Sequence, residues 1–175
     1  MDKLILDDGR VALVSLVKKT DSTKEYLKFI NMLIEEKANI LYEKKFSLKE
    51  EEQWKKLQIE NQKKKSGYTL VARISGKIAG TSGATLGNFK ERGNASLGIA
   101  IAKEFRGIGL GEALLRLNIR KAWEMFKPKN MVLTVFSTNK IARNLYSKVG
   151  FREFARFPKW IKHKGKYCDM IYMKL

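Results

Sequence analysis

Cysteine and histidine are almost absent from this chain, which contains only Cys168 and His163. A lone cysteine cannot form an internal disulfide or a cysteine-rich metal site. A catalytic or metal-binding histidine needs partner side chains, and His163 has only the cations Lys162 and Lys164 beside it, so we expect an exposed turn residue. The sequence therefore argues against Ser-His-Asp and Cys-His catalysis, and we expect no metal site.

Long apolar runs are also missing, and we expect no secretory leader. The longest apolar stretches, such as Val11 to Val17, fall far below the ~18 residues that a transmembrane helix needs. Asp2 follows Met1, and a short alternating apolar segment comes next instead of a basic region and a long apolar core. We expect no membrane association and a cytoplasmic location.

Acidic residues are scarce relative to basic ones, at 18 against 36, which gives a formal net charge of +18. A positive field of this size favours anionic partners such as an acidic protein or a ribonucleoprotein. The alternative is that the lysines form solvated faces, because they are spread along the chain. With 175 residues, 44% hydrophobic and 31% charged, the chain is expected to form one domain over 1–175.

The periodicity of apolar residues predicts alternating strands and helices without a repeat or a linker. Two capping boxes, Ser22 with Glu25 and Ser47 with Glu50, predict the starts of two early helices. Further helices are predicted from Glu112 to Phe126, where Pro128 follows, and over 139–148. The predicted strands are residues 3–6, 11–17, 68–74, 78–86, 95–102, 131–136, 151–161 and 166–173.

A glycine-rich turn lies between an apolar run, Leu97 to Ala102, and a helical pattern that begins at Glu112. The turn reads Arg-Gly-Ile-Gly-Leu-Gly from Arg106 to Gly111. Glycines let the backbone approach an anion, and the first N–H groups of a helix lack partners, so the pattern indicates a phosphate cradle. A tight turn without a ligand is the alternative. A Rossmann motif does not fit this glycine spacing, and a Walker A loop would need Gly-Lys-Ser/Thr.

A second motif lies downstream, from Asn139 to Phe151. Together the two motifs resemble those of the GCN5-related N-acetyltransferases (GNAT), over about residues 68–175. The matching residues are Arg106, Gly109 and Gly111 in the turn, and Asn139, Ala142, Leu145, Tyr146, Gly150 and Phe151 in the later helix. The resemblance implies an α/β fold with a mixed, mostly antiparallel sheet that is flanked by helices and splayed at the acetyl-CoA site.

The same resemblance implies transfer of an acetyl group from acetyl-CoA to an amine. The pyrophosphate of coenzyme A would lie against Arg106 and the backbone of Gly107, Ile108, Gly109, Leu110, Gly111 and Glu112. The backbone of Ile99, Ala100 and Ile101 would bind the pantetheine arm and polarise the acetyl carbonyl.

Tyr146 is the candidate general acid for the leaving thiolate. It lies seven residues after Asn139, about two helical turns, so both side chains are expected on one face, with Asn139 contacting the cofactor arm. The alternative for Tyr146 is a packing role in the core.

The general base is not evident. Many relatives have a glutamate in the strand before the turn, where this chain has Ser96, and N-terminal acetyltransferases of the ribosomal-alanine type often have one where this chain has Thr134. Ordered water or an acid such as Glu35 could serve. The helical region before residue 68 would form a wall of the acceptor groove, so Glu35, Glu36, Tyr42 and Phe46 are candidate substrate contacts, with exposed acids and packing aromatics as the alternative.

Three functions stay open from the sequence. The leading one is acetylation of a primary amine of a small molecule or protein by direct transfer, and the second is a protein N-terminal (ribosomal-protein type) or lysine acetyltransferase. The third, of another class, is a non-catalytic CoA-binding module. The acceptor and a homodimeric state cannot be read from these residues.

Overall fold

Eight strands form one mixed sheet in the computed structural model, which describes residues 1–175. The strands are β1 (Asp2–Ile5), β2 (Val11–Leu16), β3 (Gly67–Ile74), β4 (Lys77–Leu86), β5 (Asn94–Ile101), β6 (Asn130–Phe136), β7 (Arg152–His163) and β8 (Lys166–Lys174). Their order in the sheet is β1-β2-β3-β4-β5-β6-β8-β7. Every neighbouring pair is antiparallel except β5 and β6, which are parallel. The predicted fold class is confirmed.

Four helices flank the sheet: α1 (Thr23–Glu35), α2 (Leu48–Lys63), α3 (Leu110–Phe126) and α4 (Lys140–Lys148). Successive side chains on a strand point to opposite faces, and this places the helices. On β3, the Tyr68 hydroxyl donates to Asn118 of α3, whereas the neighbouring Thr69 hydroxyl bonds Gln58 of α2. Helices α2 and α3 therefore cover opposite faces, and α1 packs beside α2 through Tyr26 and Trp54.

One of the two predicted capping boxes is present. Ser47 Oγ accepts a hydrogen bond from the Glu50 N–H, and the Glu50 carboxylate accepts one from the Ser47 N–H at 2.7 Å. The prediction of a capping box at Ser22 is wrong, because Ser22 occupies the N-cap position of α1 but its side chain makes no capping hydrogen bond. Asn139 caps α4, accepting from the Ala142 N–H at 3.2 Å.

A buried polar network joins α3 to the middle of the sheet. The Asn118 side chain is fully buried; it accepts from the Tyr68 hydroxyl and donates to Ser82 Oγ and to the Gly83 carbonyl, each at 2.8 or 2.9 Å. Ser82 Oγ in turn donates to the Gly98 carbonyl on β5 at 2.9 Å. Because a buried polar group without a partner is costly, this network fixes how β3, β4 and β5 lie under α3.

The sheet is open between β5 and β6. Only three residue pairs join these strands, ending at Ser96 with Val132. On its other side β5 stays paired with β4 as far as Ile101. From Leu97 to Ile101, one edge of β5 therefore has no strand beside it. Apart from the Ile101 carbonyl, which accepts from Arg106 Nε, the backbone groups on that edge are left for a ligand.

His163 differs from its prediction as an exposed turn residue. It is half-buried at the end of β7, with its ring edge-on to Phe136 at 5.4 Å between centroids. Its Nε2 atom is buried without a hydrogen-bond partner, and burial, helped by Lys164, lowers the pKa of the imidazole. A neutral ring packed on an apolar neighbour explains this position.

Candidate functional site

A cavity of about 590 Å³ opens where β5 and β6 diverge. We call it the wedge cavity. It is lined by the free end of β5, the glycine-rich turn, the start of α3, one face of α4 and the segment after α1. The predicted site residues that line it are Ile99, Ala100, Ile101, Arg106, Gly107, Gly109, Gly111, Glu112, Asn139 and Tyr146. The structure thus brings together two motifs that are far apart in the sequence.

The glycine-rich turn presents a row of backbone donors. Gly107 and Gly109 have φ values of 77° and 79°, which L side chains rarely adopt. Gly109 is the N-cap of α3 and has no side chain to satisfy the first turn, in which the first intrahelical bond runs from the Ala113 N–H to the Gly109 carbonyl. None of the backbone N–H groups from Gly107 to Glu112 has an acceptor in the protein. Such a row, at the positive end of a helix, fits a phosphate group.

The side chains around the turn are already paired within the protein. Arg106 Nε donates to the Ile101 carbonyl at 2.9 Å, and its guanidinium forms an ion pair with Glu36. Glu112 is held by Lys148 at 2.6 Å and Arg116 at 3.0 Å, and these two cations lower its pKa. Arg106 therefore ties the turn to β5 and to the end of α1, while the N–H groups are left for an anion.

Ile108 and Leu110 contribute to the turn through their backbone only. The Leu110 side chain is fully buried in the core, and the Ile108 carbonyl accepts from the Asp7 N–H at 3.3 Å. Neither side chain lines the wedge cavity.

Tyr146 and Asn139 both face the wedge cavity, as their spacing predicts. Tyr146 is 7% exposed, and burial raises the pKa of its phenol to about 12. Its hydroxyl has no hydrogen-bond partner in the protein and is not sealed from solvent, so it is available to a ligand. Asn139 uses its side-chain oxygen to cap α4, which leaves its amide NH₂ group free to donate.

Glu35 is not brought to this site. Its carboxylate forms an exposed ion pair with Lys45, and it lines neither the wedge cavity nor the cavity beside it. Glu36 is engaged by Arg106. Tyr42 and Phe46, by contrast, line the neighbouring cavity and pack edge to face at 5.0 Å.

The neighbouring cavity, about 390 Å³ in volume, lies between α1, α2 and the sheet, and we call it the aromatic cavity. Its aromatic lining residues are Tyr26, Phe29, Tyr42, Phe46, Trp54 and Tyr68. It adjoins the wedge cavity along β5, since Gly98, Ile99 and Ala100 line both. Ser96, where relatives have a glutamate, also lines it.

Glu51 of α2 is the one charged residue that lines the aromatic cavity. It was not predicted from the sequence as a site residue. It is only 5% exposed, and burial raises its carboxyl pKa to about 7. Within the charged run from Glu50 to Lys56 it looked like part of a solvated face. The available signal was its spacing of three residues before Trp54, which puts both on one face of the helix.

No group of three or more histidine, cysteine or acidic side chains is arranged to hold a metal ion. None of the helices is both long and apolar enough to cross a membrane.

Several known proteins resemble this chain. An uncharacterised N-acetyltransferase of Methanocaldococcus jannaschii is 31% identical over 104 residues, which are 59% of this chain and 65% of that protein, so the match spans less than two thirds of the relative's length. The solved structure of a GNAT-family acetyltransferase from Streptococcus pneumoniae is 27% identical and superposes with a TM-score of 0.83, covering 94% of this chain and 98% of that one.

The protein YncA of Salmonella typhimurium, solved with its cofactor acetyl-CoA, has a TM-score of 0.80 at 20% identity, with 94% of this chain and 92% of that one covered. At this identity the likeness concerns the fold. The sequence model of the family described as acetyltransferase (GNAT) matches residues 33–151, which is more than half of the chain and includes the β5 edge, the glycine-rich turn and Tyr146. With both motifs assembled at one cavity in the matching fold, the chain belongs to the acetyltransferase (GNAT) family.

Proposed function

We propose that this chain is an N-acetyltransferase that takes an acetyl group from acetyl-CoA and transfers it directly to a primary amine. The observation that carries the proposal is the row of free backbone N–H groups from Gly107 to Glu112, because four residues of this row line the wedge cavity: Gly107, Gly109, Gly111 and Glu112. Acetyl-CoA, when bound, supplies an activated thioester. This donor fits the cavity because its pyrophosphate needs such a row of donors and its long arm needs an extended backbone edge.

The pyrophosphate-binding role rests on backbone geometry. The N–H groups lie at the start of α3, where the helix dipole favours an anion by ~0.3–2 kcal/mol. Arg106 is paired with Glu36, and its bond to the Ile101 carbonyl fixes the turn against β5. The residues of the turn thereby hold the diphosphate at one end of the wedge cavity.

The free edge of β5 supports the pantetheine-binding role. Ile99, Ala100 and Ile101 line the wedge cavity, and no strand pairs with them on the β6 side. A backbone N–H on this edge that reaches the acetyl carbonyl stabilises the negative charge that develops on its oxygen, as an oxyanion hole does.

Tyr146 acts as the proton donor to the departing sulfur in this proposal. With a pKa of about 12 the phenol stays protonated across the whole assay range, so it always has a proton to donate. The raised pKa also makes it a weaker acid, and its first contribution is a hydrogen bond to the sulfur that strengthens as negative charge develops there. Its free hydroxyl favours an enzyme over a module that only binds the cofactor.

The acceptor in this general form is an amine of a small molecule or of a protein. An N-terminal or lysine amine of a protein is the second candidate, and the charge of +18 would help to attract an acidic protein or a ribonucleoprotein. The charge inside the aromatic cavity has the opposite sign, because only Glu51 supplies it.

Release of free thiol from acetyl-CoA in the presence of a panel of amines tests this function. We expect amine-dependent release, and a fall in kcat of ~10²–10⁴-fold in Tyr146→Phe with little change in KM for acetyl-CoA. The matched control is Tyr167→Phe, since Tyr167 is 65% exposed and lines neither cavity. If coenzyme A binds but no amine provokes thiol release, the chain is a binding module; wild-type turnover in Tyr146→Phe removes that residue from the mechanism.

A further inference from the structure

Glu51 is a buried carboxylate without a partner. It is 5% exposed and forms no hydrogen bond or ion pair in the protein, and burial is the only influence on its titration. Its oxygens are nevertheless not sealed from solvent, so they face the aromatic cavity. A buried charge of this kind destabilises a fold unless something else compensates for it. The structure offers no compensation from the protein itself, which points to a cationic ligand.

The lining of the aromatic cavity suits a cation on an apolar body. Aromatic ring faces carry partial negative charge and attract cations. Tyr26 and Trp54 lie 5.4 Å apart between centroids and form one wall, and Phe29 and Phe46 add further apolar surface. No lysine, arginine or histidine lines the cavity. An acceptor that carries its own carboxylate would find no counter-charge there and would face Glu51.

The position of the cavity suits an acceptor. It meets the wedge cavity along Gly98, Ile99 and Ala100, with Leu33 and Ile40 also shared. Along this stretch β5 loses its neighbour, so a group bound on the aromatic side can reach a group bound on the wedge side.

We propose that the aromatic cavity is the acceptor site, that it takes a small apolar monoamine without a carboxylate, and that Glu51 binds the ammonium group and removes its proton. This inference rests on the acetyl-transfer function proposed above. It names the acceptor class and supplies the general base that the sequence lacks at Ser96 and Thr134.

The titration of Glu51 agrees with that role. A base works best with a pKa near the working pH, and burial raises the pKa of Glu51 to about 7. The other residues with titratable side chains that line the cavity are Tyr26 on α1, Tyr42 on the segment between α1 and α2, and Tyr68 on β3, whose hydroxyl points to α3 on the opposite face of the sheet. The hydroxyls of Tyr26 and Tyr68 are already bonded to Asp21 and Asn118, and no cation faces Glu51.

The step balances without any further reactant. Glu51 takes one proton from the ammonium group, and the freed nitrogen lone pair attacks the thioester carbon, forming the C–N bond. The C–S bond breaks, and the thiolate receives the Tyr146 proton. The second proton lost by the nitrogen restores Tyr146, and Glu51 releases its proton to solvent. The products are the amide, free coenzyme A and one proton.

A matched substrate pair tests the acceptor class. 2-Phenylethylamine and L-phenylalanine have the same aromatic body and differ by one carboxylate. We expect kcat/KM for thiol release to be at least ~100-fold higher for 2-phenylethylamine, because an unpaired carboxylate beside Glu51 is strongly disfavoured. Spermidine and a peptide with an N-terminal methionine complete the panel, and both should be poorer acceptors than 2-phenylethylamine.

A matched variant pair tests Glu51. Glu51→Gln should lower kcat/KM for 2-phenylethylamine by ~10²–10⁴-fold at pH 7.5, while Glu52→Gln, at an exposed neighbour, should leave it unchanged. The pH profile separates a base from a structural group. The wild-type rate should rise through pH ~7 and then level off. The Glu51→Gln rate should instead increase tenfold per pH unit until the pH approaches the pKa of the free amine, which is ~10. Glu51→Asp should recover part of the activity.

Each outcome bears on one proposal or the other. Preference for L-phenylalanine, spermidine or the peptide overturns the acceptor class, and an unchanged pH profile in Glu51→Gln overturns the base, while acetyl transfer itself stands in both cases. If the protein binds coenzyme A in a calorimetric titration but no amine provokes thiol release, the enzymatic function and this inference are both overturned.

Discussion

A single negative charge placed at Gly107 should weaken coenzyme A binding through electrostatics alone. An added Cβ at Gly107 meets no atom within 4 Å, and the residue lines the wedge cavity beside the free N–H groups. Its φ of +77° strains any L side chain, by ~1 kcal/mol, but asparagine and aspartate tolerate this region best. Gly107→Asp and Gly107→Asn therefore share the strain and the size, and differ by one charge.

The magnitude follows from Coulomb's law. A carboxylate ~6 Å from one phosphate charge costs ~0.7 kcal/mol at the dielectric of water and ~2.8 kcal/mol at the effective value of ~20 near a protein surface. These limits correspond to ~3-fold and ~100-fold weaker binding of Gly107→Asp relative to Gly107→Asn. The difference in affinity between the two variants should decrease as salt rises from ~0.1 M to ~1 M, because the screening length falls from ~10 Å to ~3 Å.

Titration calorimetry measures the dissociation constant of coenzyme A for each variant, and thermal melts of both variants confirm that they are equally stable. Equal dissociation constants for the two variants, at low salt, would refute the assignment of the turn as the diphosphate site. Gly109 is a poorer position for this test, since its added Cβ would lie 2.7 Å from the Asp7 carboxyl atoms and any loss could come from that clash.

Two further predictions concern stability. Asn118→Leu keeps the size of the side chain but removes the amide that donates to Ser82 Oγ and to the Gly83 carbonyl, while the Tyr68 hydroxyl keeps the main-chain carbonyl of residue 118. We therefore expect a loss of ~1–3 kcal/mol in denaturant unfolding, against less than ~0.5 kcal/mol for Asn144→Leu at an exposed site. The carboxyl pKa of Glu51 is raised from 4.5 to about 7, so between these pH values the folded protein binds more protons than the unfolded chain. The free energy of unfolding of the wild type should therefore fall by ~3 kcal/mol relative to that of Glu51→Gln as pH rises from 4.5 to 7, with little further change above pH 7. A constant difference between these two proteins over that range contradicts the burial of a titrating carboxylate.

The order of elements could be predicted because its signals are local, whereas the opening of the sheet at the wedge cavity was implied only by the family resemblance. Glycine spacing, helical periodicity and the position of Pro128 each act within a few residues, and together they placed the turn and the face of Tyr146. The capping box at Ser47 followed the same logic and formed, whereas Ser22 lacked the side-chain bond, because the local pattern permits a cap without requiring one.

The aromatic cavity could not be predicted because it is made by tertiary packing. The Glu51 side chain is buried only because α2 lies against α1 and β3, and nothing in a run of glutamates and lysines distinguishes the one that turns inward. Glu35 stood out by its position near the end of α1, yet it turns outward to Lys45. The same limit applies to His163, whose half-buried ring depends on the remote strand that carries Phe136.

The gap between β5 and β6 has a consequence for how this sequence can change over time. Contacts made by main-chain groups do not depend on which side chain is attached, so ligand binding does not fix the identities of Ile99 and Ile101, and only their packing against the core limits which residues can replace them. Gly80 on the next strand is less free, because a Cβ there would lie 2.9 Å from the Ala100 carbonyl oxygen. A search for diverged relatives should therefore weigh shape constraints of this kind above residue identity along the binding edge.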